Sequence, residues 1–243
     1  VNSKAFYDAI RPMFGRLSQS QVSGIDGILS AFNAVGDGKR ETLAYALATA
    51  FHETGKRMVP VREGFATSDE RARAAVNKLA KQRGPNSAVA KYAKPQPPLG
   101  HVYYGRGHVQ LTWLGNYRRS SADAGVDLVA NPDAMLNPVI SARVLVKGLI
   151  DGRWNGQGKG VSHYLPGDPV QARRTVNVLD KAQEIAGYYR QFLAALDTAG
   201  WQAVERKPQV TAGKPDAGPA PAPRLSFWAE LAKLIAAIFK RNT

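Results

Sequence analysis

Two glutamates, Glu53 and Glu63, are the residues of this chain best placed by type and spacing for acid/base work. They flank a change from helix to loop in the stretch ETLAYALATAFHETGKRMVPVRE, residues 41–63. The first half reads as a helix: Leu43, Leu47, Ala50 and Thr54 share one face, and Ala46, Thr49, Ala50 and Glu53 form an adjoining lane of small side chains that ends in an acid. That lane is expected to floor a cleft. Gly55 is a helix stop and Pro60 forbids continuation, so Glu63 is expected on a loop folding back across from Glu53. A carboxyl on a helix end facing another on a loop is what acid/base hydrolysis of a glycosidic bond requires. The same residues also admit a plainer reading. Lys56 and Arg57 follow Glu53 at the spacing of exposed helical ion pairs, worth about 0.3 kcal/mol each. A zinc site fails at once, because the motif HExxH needs a second histidine where Lys56 stands.

The stretch HVYYGRGHVQLTWLGNY, residues 101–117, is the second informative one. Its short alternation of aromatic, β-branched and glycine residues predicts a small hairpin or an irregular loop, with Gly105 and Gly107 allowing close backbone approach. Gln110, Thr112 and Asn116 recur among the aromatics as groups able to orient a ligand or a water. The alternative is a tight turn in which Tyr103, Tyr104, Trp113 and Tyr117 are core and the polar side chains satisfy backbone.

The elements that must position these groups are mostly helical by pattern. Phe6, Ile10, Met13 and Phe14 mark a first helix, and Val22, Ile25, Leu29 and Phe32 mark a second behind a capping box at Ser18-x-x-Gln21. Ser68, with Asp69 and Glu70, starts a helix whose Ala72, Ala75, Val76 and Leu79 pack inward, ending at Gly84-Pro85. Asn137-Pro138 caps a helix to about Gly148. Asp168-Pro169 opens a segment with Ala172, Val176 and Leu179 inward, and a last helix runs from Ala182 to about Leu196. Residues 206–224 are rich in Pro, Ala and Gly and read as a semi-extended linker. Beyond it, residues 225–243 hold a cationic amphipathic helix, with Phe227, Trp228, Leu231, Ile235 and Ile238 apolar and Lys233, Lys240 and Arg241 basic.

The chain has 243 residues, of which 44% are hydrophobic and 21% charged, an ordinary composition for a folded protein. With no cysteine, disulfides, thiolate catalysis and Cys-ligated zinc are excluded. The four histidines, His52, His101, His108 and His163, show no close ligand spacing, so a zinc-dependent amidase is poorly supported. The net charge of +14 points to an anionic partner. No nucleic-acid motif accompanies that charge, and nucleic acid is not the expected partner. The amino terminus VNSKAFYDAIRPMFG lacks the pattern of a secretory signal, so export by the usual route is not expected.

HETG at 52–55, VRE at 61–63, YYGRGHVQLTWLGNY at 103–117, then DLVANPD and Asn177, in that order, resemble the family 19 glycoside hydrolases, which include chitinases and phage endolysins that cleave peptidoglycan. The resemblance covers roughly residues 40–195. It implies a mainly α, two-lobed, lysozyme-like fold for a catalytic domain spanning 1–205, and an inverting mechanism with no cofactor and no metal. Carried across, Glu53 matches the general acid, Glu63 the general base, and Thr112 the residue that helps hold the attacking water. Gln110, Asn116 and Asn177 match substrate-binding positions, and His52 and Tyr104, inside the matching motifs, join that expected set. Two departures stand: the usual Asn-Gly-Gly is here Asn177-Val178-Leu179, and the spacing from Glu53 to Glu63 is one residue longer than the commonest. The lack of cysteine and of a signal, with the cationic tail, leads us to expect a monomeric endolysin. It would be made in a bacterial cytoplasm and act on periplasmic peptidoglycan, while its tail helix meets anionic membrane or lipopolysaccharide. A chitinase acting on chitin oligomers, and a cationic membrane-disrupting protein without catalysis, are the alternatives.

Overall fold

The computed structural model of the chain describes residues 2–202, so the linker and tail-helix expectations lie outside the described residues. The fold is mainly α. It contains eight α-helices among the described residues: α1 (Ser3–Phe14), α2 (Gln19–Val35), α3 (Arg40–Glu53), α4 (Asp69–Arg83), α5 (Ala88–Tyr92), α6 (Leu114–Ala124), α7 (Pro138–Asp151) and α8 (Ala182–Thr198). Two short strands, β1 (Val61–Arg62) and β2 (Arg106–Gly107), pair antiparallel with Val61 opposite Gly107.

Capping explains several of the helix starts. The Ser18–Gln21 box opens α2, Ser68 accepts from Arg71 N–H to open α4, and Asn137 caps α7 with Pro138 at its first position. Helix α7 runs on past Gly148 to Asp151. Gly148 is an interior packing position rather than a stop: a Cβ there would lie 2.0 Å from the Trp154 ring.

The larger core surrounds α3, which packs on α8, α7 and α2. Every residue from Thr42 to Phe51 is buried, so α3 is a central helix enclosed on all sides. The expected lane of small residues therefore floors no cleft. Ala46, Thr49 and Ala50 are wholly inside the protein, and past Phe51 the helix becomes accessible again at His52 and Glu53. A smaller apolar cluster gathers Ala72 and Val76 of α4, Val89 of α5, Ala93, Val102 and Tyr104. It gives the second lobe its own core.

Three further expectations are corrected. Ala75 is exposed, because α4 packs on the small cluster through Ala72, Val76, Leu79 and Ala80 and Ala75 lies off that stripe. Residues 171–175 form a 3-10 turn instead of a longer helix, and Leu179 is left exposed. The 101–117 stretch does form the small hairpin, Arg106 and Leu111 exchanging backbone hydrogen bonds across a tight turn, but its end opens α6, a helix not foreseen.

Candidate active site

Glu53 ends α3 at the edge of the large core, its side chain 15% exposed. Its partner is neither Lys56 nor Arg57 but Arg173, from the 3-10 turn Gln171–Thr175, whose Nη1 donates to Glu53 Oε1 at 2.7 Å. The Arg173 side chain is only 3% exposed and its Nε donates to Asp180 O at 3.2 Å. A guanidinium so placed fixes the orientation of the carboxyl group, because two of its nitrogens are already committed. Among the described residues, Glu53 Oε2 makes no hydrogen bond and is the oxygen free to meet a substrate.

Four buried hydroxyls lie on α3, on α8 and on the turn that bears Arg173. Tyr45 and Thr49 stand two turns and one turn before Glu53 on α3, with Thr175 beyond Arg173 and Tyr189 on α8. All four hydroxyls are buried without a hydrogen-bond partner among the described residues. Burial pushes the Tyr45 hydroxyl well above its usual range, with Arg173 pulling it down and Glu53 pushing it further up.

Glu63 opens a 3-10 turn directly after β1. Tyr92 Oη donates to its Oε1 at 2.6 Å and Gly105 N–H to its Oε2 at 2.9 Å, while its own N–H donates to Gly105 O at 2.7 Å. Burial first, then the charge of Glu63 and the bond to it, push the Tyr92 hydroxyl up, so Tyr92 stays a proton-bearing donor. Each carboxylate oxygen keeps a second lone-pair direction for a water.

The 101–117 stretch supports Glu63 from behind. Gln110 Nε2 donates to Val61 O at 3.0 Å and to Gly107 O at 3.3 Å, which ties β1 to the loop after β2. Gly105 lets this happen, since a Cβ there would meet Gln110 Oε1 at 2.8 Å. Thr112 Oγ1 donates to Gln110 O at 2.8 Å, leaving its own lone pairs as acceptors. Glu63, Gly105, Gln110 and Thr112 thus form one connected string. Asn116 is held locally, donating to Thr112 O at 2.9 Å and accepting from Arg119.

The remaining site expectations fall out unevenly. Asn177 joins the Glu53 side, its N–H donating to Arg173 O at 2.9 Å, while its Oδ1 accepts from Val178 N–H. His52 is half-buried beside Glu53. Tyr104 is a correction: it is fully buried in the small cluster, its Oη donates to Asp69 at 2.7 Å, and Arg106 stacks over its ring at 3.6 Å. A ring so enclosed faces no ligand, and its work is to seat Arg106.

Arg106 is itself a buried hub. It donates to Asp133 at 2.7 Å, Asp69 at 3.1 Å, Tyr117 Oη at 3.1 Å and Val102 O at 3.1 Å. Arg62 donates to the other oxygen of Asp133 at 2.6 Å, so one carboxylate clamps both strands. Partial burial disfavours the charge on Asp133, but the bond from Arg62 and the Arg106 guanidinium outweigh it and hold the carboxyl below the usual range. His108, one residue past β2, spans the two sides of the site. Its Nδ1 lies 2.9 Å from Ser141 Oγ of α7 and its Nε2 3.1 Å from Met58 O. Burial lowers its pKa to about 4, against those hydrogen bonds. Among the described residues, no cluster of His, Cys, Asp or Glu is suited to a metal.

Arg173, Tyr92 and His108 are site residues that sequence reasoning missed. Arg173 carried only a faint signal, a pair of arginines inside the otherwise inward-facing QARRTV just before Asn177.

The profile of the family described as chitinase class I, glycoside hydrolase family 19, matches residues 24–148. An "Endochitinase" of Persea americana is 28% identical over 192 residues, covering 67% of this chain and 56% of its own length. An "Inactive chitinase-like protein 1" of Hevea brasiliensis is 30% identical over 92 residues, covering 30% of this chain and 29% of its own. The chain thus spans about half the length, or less, of these curated relatives. The crystal structure of chitinase C from Streptomyces griseus HUT6037 is 21% identical, covers 82% of this chain and 78% of that one, and superposes with a TM-score of 0.47. A likeness that loose carries no argument about the site.

Proposed function

Since the chain belongs to glycoside hydrolase family 19, the chitinase class I family, we propose that it hydrolyses the glycan backbone of peptidoglycan as a phage-type endolysin. In the proposed reaction Glu53 protonates the leaving oxygen through Oε2, while Arg173 holds its other oxygen. Glu63, braced by Tyr92 and Gly105, takes a proton from a water on the opposite face of the sugar, and Thr112 accepts a hydrogen bond from that water. The carboxyl groups then stand roughly 6.5–9.5 Å apart with substrate bound, and the product leaves with inverted anomeric configuration.

The observation that carries the choice of polymer is the charge of +14, which suits an anionic wall better than neutral chitin. The likeness to endochitinases favours a second reading, a chitinase acting on chitin oligomers. Mass spectrometry of the products from purified peptidoglycan and from chitohexaose separates the two. Muropeptides cut between sugars support the proposal; cleavage of chitohexaose alone refutes it. The tail, residues 225–243, is proposed to attach to anionic membrane or lipopolysaccharide in the bacterial periplasm. Deleting residues 206–243 is expected to spare cleavage of purified peptidoglycan while lowering binding to anionic vesicles; equal loss of both would end that part of the proposal.

A further inference from the structure

The loop between the two glutamates carries an arrangement that acid/base chemistry does not use. Arg57 is exposed, and its guanidinium carbon lies 3.9 Å from the centre of the Phe65 ring. Phe65 is 48% exposed and holds a φ of 55°, a conformation that costs an aromatic residue energy and persists only where surroundings impose it. The ring also lies against Gly55, where a Cβ would come within 2.8 Å of Phe65 Cζ. Gly55 follows Glu53 by two residues and Phe65 follows Glu63 by two, so this stack bridges the two segments that bear the candidate carboxyls.

The loop itself is fixed. Met58 N–H donates to Thr54 Oγ1 at 2.9 Å, Gln21 Nε2 donates to Lys56 O at 2.9 Å, and Lys56 N–H donates to Phe51 O at 2.7 Å. Among the described residues no carboxylate pairs with Arg57. Its guanidinium meets the ring and makes a long bond to Thr54 O at 3.5 Å. A planar cation, stacked on a strained aromatic and left with free donors beside a glycosidic site, is built to meet a carboxylate.

We infer that Arg57, seated on Phe65, is a specificity-determining residue that binds a carboxylate on the glycan, the lactyl group of N-acetylmuramic acid being the matching chemistry. The inference rests on Glu53 and Glu63 being the reacting pair. Neutral N-acetylglucosamine polymers offer Arg57 no charged partner, so the residue discriminates between the two candidate polymers by attraction to one of them.

The test uses binding, so that it does not depend on turnover. Full-length Glu53→Gln protein is titrated calorimetrically with the tetrasaccharide of alternating N-acetylglucosamine and N-acetylmuramic acid, and with chitotetraose. The carboxylated sugar is expected to bind about tenfold more tightly, the effect of one well-placed charge pair. Adding Arg57→Gln is expected to bring the two within about twofold, and Phe65→Leu, which removes the stack but keeps the charge, to fall between. Raising the salt should shrink the preference only where Arg57 is present. A preference that survives Arg57→Gln, or none before substitution, overturns the inference. Wild-type protein that releases chitin oligomers but no muropeptides would refute the peptidoglycan proposal, and the tetrasaccharide comparison would still decide the role of Arg57.

Discussion

The two candidate carboxyls are held in opposite ways. Glu53 projects from a helix enclosed by the large core and is steadied by a single buried guanidinium on one oxygen. Glu63 sits on a turn beside the small cluster, with a donor on each oxygen and its backbone pinned to Gly105. The contrast fits a division of labour. A group that must give up a proton needs one oxygen left open, whereas a group that receives one needs a fixed bearing toward the water.

The sharpest way to break this comparison is Glu53→Gln, which keeps the bond from Arg173 but removes the proton. Turnover is expected to fall by roughly 10² to 10⁴-fold with circular dichroism unchanged. Near wild-type turnover would deny Glu53 its role.

His108 joins the two sides, so acid should loosen them together. Its folded pKa of about 4 lies below the ordinary 6.5, so the unfolded chain takes up the proton first as the pH falls. Its contribution is complete above about pH 6.5 and is lost as the pH drops toward 4, up to about 3 kcal/mol. Melting at pH 4.5 is therefore expected about 5–10 °C below that at neutral pH, and His108→Gln should melt lower at neutral pH but with a flatter profile. Equal wild-type melting at both pH values would remove His108 as the tie.

The mildest change tests the Glu63 side. Tyr92→Phe leaves Gly105 as the remaining donor, and kcat is expected to drop about tenfold, the worth of one bond to a charged group. Stability should hardly move. A large loss of melting temperature with kcat intact would mean that Tyr92 only packs.

The sequence made the Glu53 side legible as far as one helix could show it. The HETG motif, the helix ending and the capping signals of α2 and α7 are local, and local rules located them. What holds Glu53 is Arg173, far along the chain, and no short-range pattern connects the two. Helix α6 escaped notice for a different reason. Its inward positions include Ser120, which accepts from Trp154 Nε1 at 3.1 Å, and Asp123, paired with Arg153, so polar groups interrupt the apolar period. The lane of small residues on α3 gives no sign of a cleft because a helix buried on every side has no meaningful polar face. Tyr104 lies inside a matching motif, which points to a ligand contact, yet that motif also encodes the seat of Arg106.

The buried hydroxyls of Tyr45, Thr49, Thr175 and Tyr189, unpartnered among the described residues, make the protein improvable by protein engineering. A buried hydroxyl without a partner costs about 1–3 kcal/mol, so replacing one with its apolar isostere recovers melting temperature without new contacts. Tyr189→Phe lies farthest along the chain from the candidate carboxyls and should raise thermal tolerance with turnover kept. Thr49→Val, one turn before Glu53, should raise it too, but at the risk of disturbing the helix end that aims the acid. Ranking such substitutions by their distance from Glu53 would trace how far robustness can be bred into this helix before catalysis begins to suffer.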